Sequence, residues 1–209
     1  MNSKLGRISA AVTGLSVLGF AVSMIVGVFT GSATPSFLTS MCIALGFLPL
    51  ICAITGGNPK KESRGMGLAA VGFAAVYVML IMLVYFAAVT TVRMNPGLSE
   101  EARAIIDYEH LGSLYFNYDL LGYGFMALAT FFASFSVEPK DKGDRAFRML
   151  LRIHGIFAVS CFIMPMFPLF TTGTNPLIGT AVLEFWCIYF LPVCILGWRY
   201  FREKKFDKR

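Results

Sequence analysis

The sequence predicts an all-α integral membrane protein, a bundle of six transmembrane helices with both termini in the cytoplasm. Three observations support this fold class: six long apolar runs, turn-forming residues between them, and basic residues concentrated in alternate connections. Of the 209 residues, 56% are hydrophobic and only 14% are charged. A soluble domain carries about 25% charged residues because its surface faces water, so this deficit argues against a soluble fold.

Six runs approach the roughly 20 apolar residues that a helix needs to cross a bilayer. They cover approximately residues 8–29, 37–55, 66–92, 114–137, 150–170 and 177–198, within one membrane domain, 1–209. Helix-ending combinations of Gly, Pro and Asn separate them, such as Asn95-Pro96-Gly97. The runs lack the alternation of barrel strands, so helices are predicted. Residues 93–111 form the predicted outer loop.

The positions of the basic residues predict the orientation. All but two of the 18 Lys and Arg residues lie in the N-terminal tail, the second connection, the segment from 140 to 152, or the C-terminal segment from 199. The exceptions are Arg93 and Arg103, both in the outer loop. Because Lys and Arg concentrate on the cytoplasmic side, both termini are predicted to be cytoplasmic, with the chain in the plasma membrane.

The first run also has some features of a signal peptide, since Lys4 and Arg7 precede it. Its apolar stretch is longer than a signal core of about 7–15 residues. We therefore expect it to remain as the first helix of the mature protein.

Two acidic residues, Asp119 and Glu184, lie inside apolar runs. A carboxylate at membrane depth is costly unless it is paired, protonated or hydrated, so both should face the bundle interior. At 1.5 Å per residue, Asp119 lies about 9 Å from the start of its run and Glu184 about 12 Å, so their depths are similar. The sequence therefore predicts that the two carboxylates share one pocket.

Other polar side chains are predicted to line that pocket, which opens outward beneath the outer loop. Tyr115 and Tyr123 flank Asp119 at i−4 and i+4, on the same helix face. Thr180 stands at i−4 from Glu184. Asn117 should point toward a neighbouring helix, and Arg93 ends the third run on the same side of the membrane. Within the loop, Ser99 and the acidic residues after it predict a short surface helix up to His110.

These features favour a protein that binds or translocates a small ligand or cation through an outward-facing polar pocket. One alternative is a membrane-embedded enzyme, in which the same carboxylates act as acid and base on a lipid-like substrate. Another is a structural or partner-binding subunit that uses the small residues Gly19, Ser23 and Gly27. In a purely structural role, Asp119 and Glu184 would hold helices together through hydrogen bonds.

The remaining residues indicate few partners. The net charge of +6 accompanies no nucleic-acid-binding module, so nucleic acid is not predicted as a partner. Arg145, Arg148 and Arg152 are predicted to contact anionic lipid headgroups at the cytoplasmic face, and an oligomer is left open. No motif for a cofactor is present, and neither the five Cys residues nor the pair Asp107 and His110 predicts a metal site. His154 is predicted to be a capping or interface residue.

Overall fold

The computed structural model describes residues 2–57, 64–167 and 176–203. In these ranges the regular structure is entirely helical. The α-helices are α1 Asn2–Thr30, α2 Thr34–Gly56, α3 Arg64–Ala87, α4 Glu100–Ile106, α5 Leu114–Ala133, α6 Lys142–His154, α7 Ile156–Ile163 and α8 Pro176–Glu203. A π-helical segment, Ala88–Val92, extends α3, and the 3₁₀ segments Ser134–Ser136 and Met164–Met166 follow α5 and α7.

Six helical segments are long and apolar enough to cross a membrane, which confirms the all-α class and the number of spans. They are Asn2–Thr30, Thr34–Gly56, Arg64–Val92, Leu114–Ser136, Lys142–Met166 and Leu177–Glu203. Several exceed the apolar runs because the helices continue into charged residues at their ends. The predicted end of the fifth span, at residue 170, lies outside the described residues.

Successive spans run in opposite directions. At one end of the bundle, here called the terminal end, the Asn2 side-chain amide donates to the Gly56 carbonyl at 3.0 Å, joining the start of α1 to the end of α2. At the same end, the Arg199 guanidinium of α8 lies 3.0 Å from the Asp141 carboxylate that precedes α6. The opposite end, here called the loop end, holds the short α1–α2 connection and the outer loop.

The spans form a closed ring of neighbours around an aromatic centre. α1 packs between α2 and α8, α2 contacts α3, α3 packs on α5, α5 contacts α6 and α7, and α6 returns to α8. Buried rings fill the middle: Phe47 lies 5.3 Å from Tyr77 and 6.2 Å from Phe190, between ring centroids. Outward-facing side chains such as Leu15 and Ile188 are exposed and apolar, as lipid contact requires.

The fifth span consists of two helices, α6 and α7, that meet at Gly155. Along α6, Phe147, Leu151 and His154 recur on one buried face, while Arg152 is exposed. A Cβ added to Gly155 would lie 2.9 Å from the Phe131 Cβ of α5. The absence of a side chain at Gly155 therefore allows the fifth span to approach α5 closely.

The outer loop contains the expected surface helix, but it ends earlier than predicted. The Ser99 hydroxyl accepts a hydrogen bond from the Ala102 N–H at 3.3 Å and caps α4. The helix ends at Ile106 and not at His110 because Asp107 leaves the helical conformation, with φ −91° and ψ 111°. The Asp107 carboxylate then binds Arg103 at 2.8 Å, and the next residue, Tyr108, packs into the bundle.

Candidate functional site

A cavity of about 600 Å³ lies at the loop end of the bundle. Its sides come from α1, α2, α3, α5 and α8, and residues 108–111 of the outer loop cover part of it. Its polar lining includes Ser23, Ser36, Glu109, His110 and Thr180, while the rest is mostly apolar and aromatic. A cavity of this size with a few polar groups is typical of a small-molecule site.

Four rings form one side of the cavity, here called the aromatic wall: Phe37, Tyr85, Tyr108 and Phe116. The Tyr85 and Tyr108 centroids lie 5.2 Å apart, and Phe37 contacts both, at 5.3 Å and 5.6 Å. Phe116 continues the wall at 5.9 Å from Tyr108. The wall thus joins side chains from α2, α3, the outer loop and α5 into one packed surface.

Asp119 lies behind the aromatic wall and is 3% exposed. Its carboxyl interacts with the Tyr85 hydroxyl and electrostatically with the Tyr108 hydroxyl. Among the described residues, its Oδ1 atom has no hydrogen-bond partner. Both tyrosines therefore line the cavity, and Tyr85 also contacts the buried carboxyl, while Tyr108 lies within its electrostatic range.

The unpaired oxygen of Asp119 belongs to a group of buried polar atoms from three helices. We call this group the Asp119 cluster: Ser40 of α2, Tyr77 of α3, and Asp119 and Tyr123 of α5. The carboxyl acts electrostatically on both tyrosine hydroxyls, and Tyr123 faces Ser40. In the described part of the chain, none of the three hydroxyl groups has a hydrogen-bond partner of good geometry. Each such group costs about 1–3 kcal/mol unless water or a ligand satisfies it.

His154 forms a second polar centre, nearer the terminal end. The Trp186 indole N–H donates to His154 Nε2 at 3.0 Å, so Nε2 is the unprotonated nitrogen. Nδ1 therefore carries the proton and donates to the Thr130 hydroxyl at 2.8 Å, which donates to the Ala127 carbonyl at 2.8 Å. His154 is neutral and joins α5, α6 and α8. The expectation of a capping or interface residue was wrong, because α6 begins at Lys142 and carries His154 deep into the bundle.

Glu184 lies on α8 and is partly exposed. Its Oε1 atom is buried without a hydrogen-bond partner among the described residues, and its carboxyl interacts with the Cys187 thiol one turn further on. Thr180, one turn before it, lines the cavity, whereas neither Glu184 nor Asp119 is a lining residue. A pocket shared by the two carboxylates stays a prediction.

The other predicted site residues lie in different surroundings. Tyr123 is buried in the Asp119 cluster, 5.3 Å from the Trp186 ring. Tyr115 packs beside Tyr118 at 6.1 Å, the Asn117 amide points to the Gly112 carbonyl at 3.5 Å, and Arg93 is exposed. These last three do not line the cavity, so their role in binding also stays a prediction.

The most important residues that the sequence did not reveal are Tyr77, Tyr85, Tyr108 and Glu109. Tyr77 and Tyr85 are two helical turns apart on the buried face of α3. Two tyrosines at this spacing within an apolar run were a signal that the sequence did contain. Tyr108 and Glu109 follow α4 directly and gave no comparable signal. Partial desolvation, and then the neighbouring Asp107, raise the pKa of the Glu109 carboxyl, while Arg103 opposes the shift.

Six described helical segments that are long and apolar enough to cross a membrane are compatible with a multi-pass membrane protein. Comparisons with protein-family models, with curated proteins and with solved structures find no match for this chain.

Proposed function

We propose that this multi-pass membrane protein binds a small ligand or cation in the loop-end cavity, with Asp119 as the buried charged group of the site. One observation carries the proposal: Tyr85 and Tyr108 line the cavity and also interact with the Asp119 carboxyl, whose Oδ1 has no partner within the described chain. A buried carboxyl held in this way is more consistent with binding than with bracing two helices, because a brace would use both oxygens.

Binding is better supported than translocation. Below the Asp119 cluster, the centre of the bundle is filled by Phe47, Trp186, Phe190 and His154, none of which is more than 5% exposed. A ligand that entered from the loop end would meet this packed layer. Translocation would require the layer to open, whereas binding requires only the cavity that is present.

We also propose an orientation for the chain in the membrane. The described basic residues gather at the terminal end, including Arg7, Arg64, Arg145 and Arg202, while Arg93 and Arg103 lie at the loop end. The positive-inside rule then directs the terminal end to the cytoplasm and the cavity to the outside of the plasma membrane. Exposed arginines on α6 would contact anionic lipid headgroups at the cytoplasmic face.

Reporter fusions test this orientation. Fusions after Lys142 and after Arg209 should report a cytoplasmic location, and fusions after Ser99 should report an external one. A cytoplasmic signal at Ser99 would contradict the proposed topology.

A filled cavity tests the binding function. Gly179 lines the cavity and a Cβ there meets nothing within 4 Å, so Gly179→Phe should fill the space without disturbing α8. Gly72 on α3 is equally free of contacts, is exposed and lies outside the lining, so Gly72→Phe is the matched control.

The measurement is the unfolding temperature of the purified full-length chain in detergent with tetraethylammonium, cyclohexanol or benzoate. At least one of these probes should stabilise the wild type and Gly72→Phe but not Gly179→Phe. If none of the three classes of probe stabilises the wild type, the binding function is contradicted.

A further inference from the structure

We propose that the ligand of the loop-end cavity is an organic ammonium ion, whose positive head lies against the aromatic wall in front of Asp119. This inference rests on the proposed binding function and narrows it to one chemical class. It follows from the sign of the charges around the cavity, from the rings in its lining and from its size.

The charges around the cavity favour a cation. The acidic residue Glu109 is part of the lining, Asp119 lies behind the aromatic wall, and the lining contains no Lys or Arg from the described residues. Arg103, the nearest loop cation in sequence, is held by the Asp107 carboxylate at 2.8 Å and the Pro96 carbonyl at 3.2 Å. An anion would therefore find no Lys or Arg partner in the described lining, where His110 is the one basic side chain, whereas a cation would offset the buried carboxyl.

The rings indicate an organic cation. Phe20 joins the four rings of the aromatic wall in the lining, and aromatic faces attract ammonium groups through their quadrupoles. The interaction of the Tyr85 hydroxyl with Asp119 strengthens this attraction, because a phenol that donates toward a carboxylate has a more electron-rich ring. Alkylated ammonium groups suit such a site because they are weakly hydrated and are recognised by aromatic cages.

The size and polarity of the cavity disfavour a bare inorganic ion. A volume of about 600 Å³ is far larger than one dehydrated metal ion. Hard cations also need a shell of about six oxygen ligands, while Met24, Val28, Leu111 and Leu183 make much of the lining apolar. An ammonium ion with alkyl or aryl substituents satisfies both the charged and the apolar parts of the lining.

The test compares a cation with its uncharged isostere. Ser36 is buried and lines the cavity, so a Ser36→Cys thiol reports occupancy through its rate of modification by methyl methanethiosulfonate. Choline and 3,3-dimethylbutan-1-ol have nearly the same shape and differ in charge. The reaction is followed in the full-length chain, with the wild type as the background for its native cysteines and Glu100→Cys, on exposed α4, as the control for an unhindered thiol.

Choline should protect Ser36→Cys at a concentration at least about tenfold lower than its isostere does, and should leave Glu100→Cys unaffected. In Asp119→Asn, the ratio between the protecting concentrations of the isostere and of choline should fall to less than about threefold. Tyr85→Phe should retain most of it and Tyr85→Leu should lose it, which keeps the test informative even if one variant does not fold. Sodium chloride at equal ionic strength should not protect.

The failures of the two proposals are distinguishable. Equal protection by choline and the isostere overturns the ammonium inference but leaves a cavity that binds small ligands. Modification that neither compound slows also overturns the ammonium inference, and the three-probe stability experiment then decides the broader function. A Ser36→Cys thiol that no reagent reaches, while Glu100→Cys reacts, overturns both proposals because the cavity is then closed.

Discussion

The two halves of α5 carry buried polar side chains on the same face, but these side chains differ in how completely they are hydrogen-bonded. Toward the terminal end, Thr130 and His154 form a closed series of hydrogen bonds with Trp186 and the Ala127 carbonyl. Toward the loop end, Asp119 and Tyr123 are also buried, yet each has a polar atom that makes no hydrogen bond of good geometry with the described residues. Buried polar groups in proteins are normally satisfied, so the difference is informative.

Along α5, the terminal half therefore has a structural role, whereas the loop half adjoins the cavity. The His154 network is complete within the chain and needs nothing from outside, so its role is to join α5, α6 and α8. The Asp119 cluster is incomplete within the described chain and adjoins a cavity, so its missing partners must come from water or a ligand. An ionisable residue inside a membrane is therefore best interpreted after its partners have been counted.

The largest expected effect is on stability and comes from truncating the two centres. His154→Ala should lower the free energy of unfolding by about 3 kcal/mol, because it leaves a cavity and deprives both Trp186 and Thr130 of a partner. Asp119→Ala should change it by less than about 1 kcal/mol, because burial of the carboxyl is itself unfavourable.

Unfolding of both Ala variants in mixed detergent micelles measures these differences. The fraction that refolds shows whether the comparison is at equilibrium. A loss of about 3 kcal/mol in Asp119→Ala would show that Asp119 braces the bundle, and the contrast between the two halves of α5 would disappear.

The amino-acid sequence revealed the spans because the length of an apolar run is a local property. Asp119 was also recognisable, because a carboxyl in such a run must face the interior. What the sequence could not show was which side chains meet Asp119. Tyr85 comes from α3 and Tyr108 from the outer loop, and their convergence depends on helix packing between distant parts of the chain.

His154 illustrates a different limit. Its position was judged from an apolar run that begins near Leu150, which placed the ring close to the membrane surface. The helix begins eight residues earlier, at Lys142, because α6 is amphipathic and its arginines remain exposed while Phe147 and Leu151 are buried. Hydropathy alone does not detect the start of such a helix.

A smaller effect is expected on the pH dependence of the loop end. The pKa of Glu109 is raised by partial desolvation of its carboxyl and by Asp107, while Arg103 lowers it. As the pH falls through this raised pKa, Glu109 becomes neutral and the cavity loses a negative charge. Choline binding should therefore weaken on acidification and be strongest above that pKa, with a change of about threefold for a charge roughly 7 Å away in a water-like medium.

Protection of Ser36→Cys by choline, measured across pH, gives this dependence. Glu109→Gln should remove about this factor from the profile, and any dependence that remains should disappear in Asp119→Asn, which removes the buried carboxyl. His110→Gln controls for the imidazole in the cavity lining. A profile that is unchanged in Glu109→Gln but flat in His110→Gln would assign the pH dependence to the imidazole instead.

We expect the smallest effect from removing one tyrosine hydroxyl in each half of the molecule. Tyr189 belongs to the terminal half, where its hydroxyl donates to the Leu150 carbonyl at 2.6 Å. Tyr123 belongs to the Asp119 cluster, where its hydroxyl faces Ser40 but makes no hydrogen bond of good geometry with the described residues. The change of Tyr to Phe removes the same atom in both cases, so any difference reflects the surroundings.

Tyr189→Phe should lower the free energy of unfolding by about 1 kcal/mol, because the Leu150 carbonyl loses its donor. Tyr123→Phe should leave it unchanged or raise it by up to about 1 kcal/mol, because an unsatisfied hydroxyl is no longer buried. Unfolding of both variants without added ligand gives the two values. A loss of 1 kcal/mol or more in Tyr123→Phe would mean that the chain, or water held tightly within it, already satisfies that hydroxyl. The loop half would then be as complete as the terminal half, and the cluster would no longer point to a ligand.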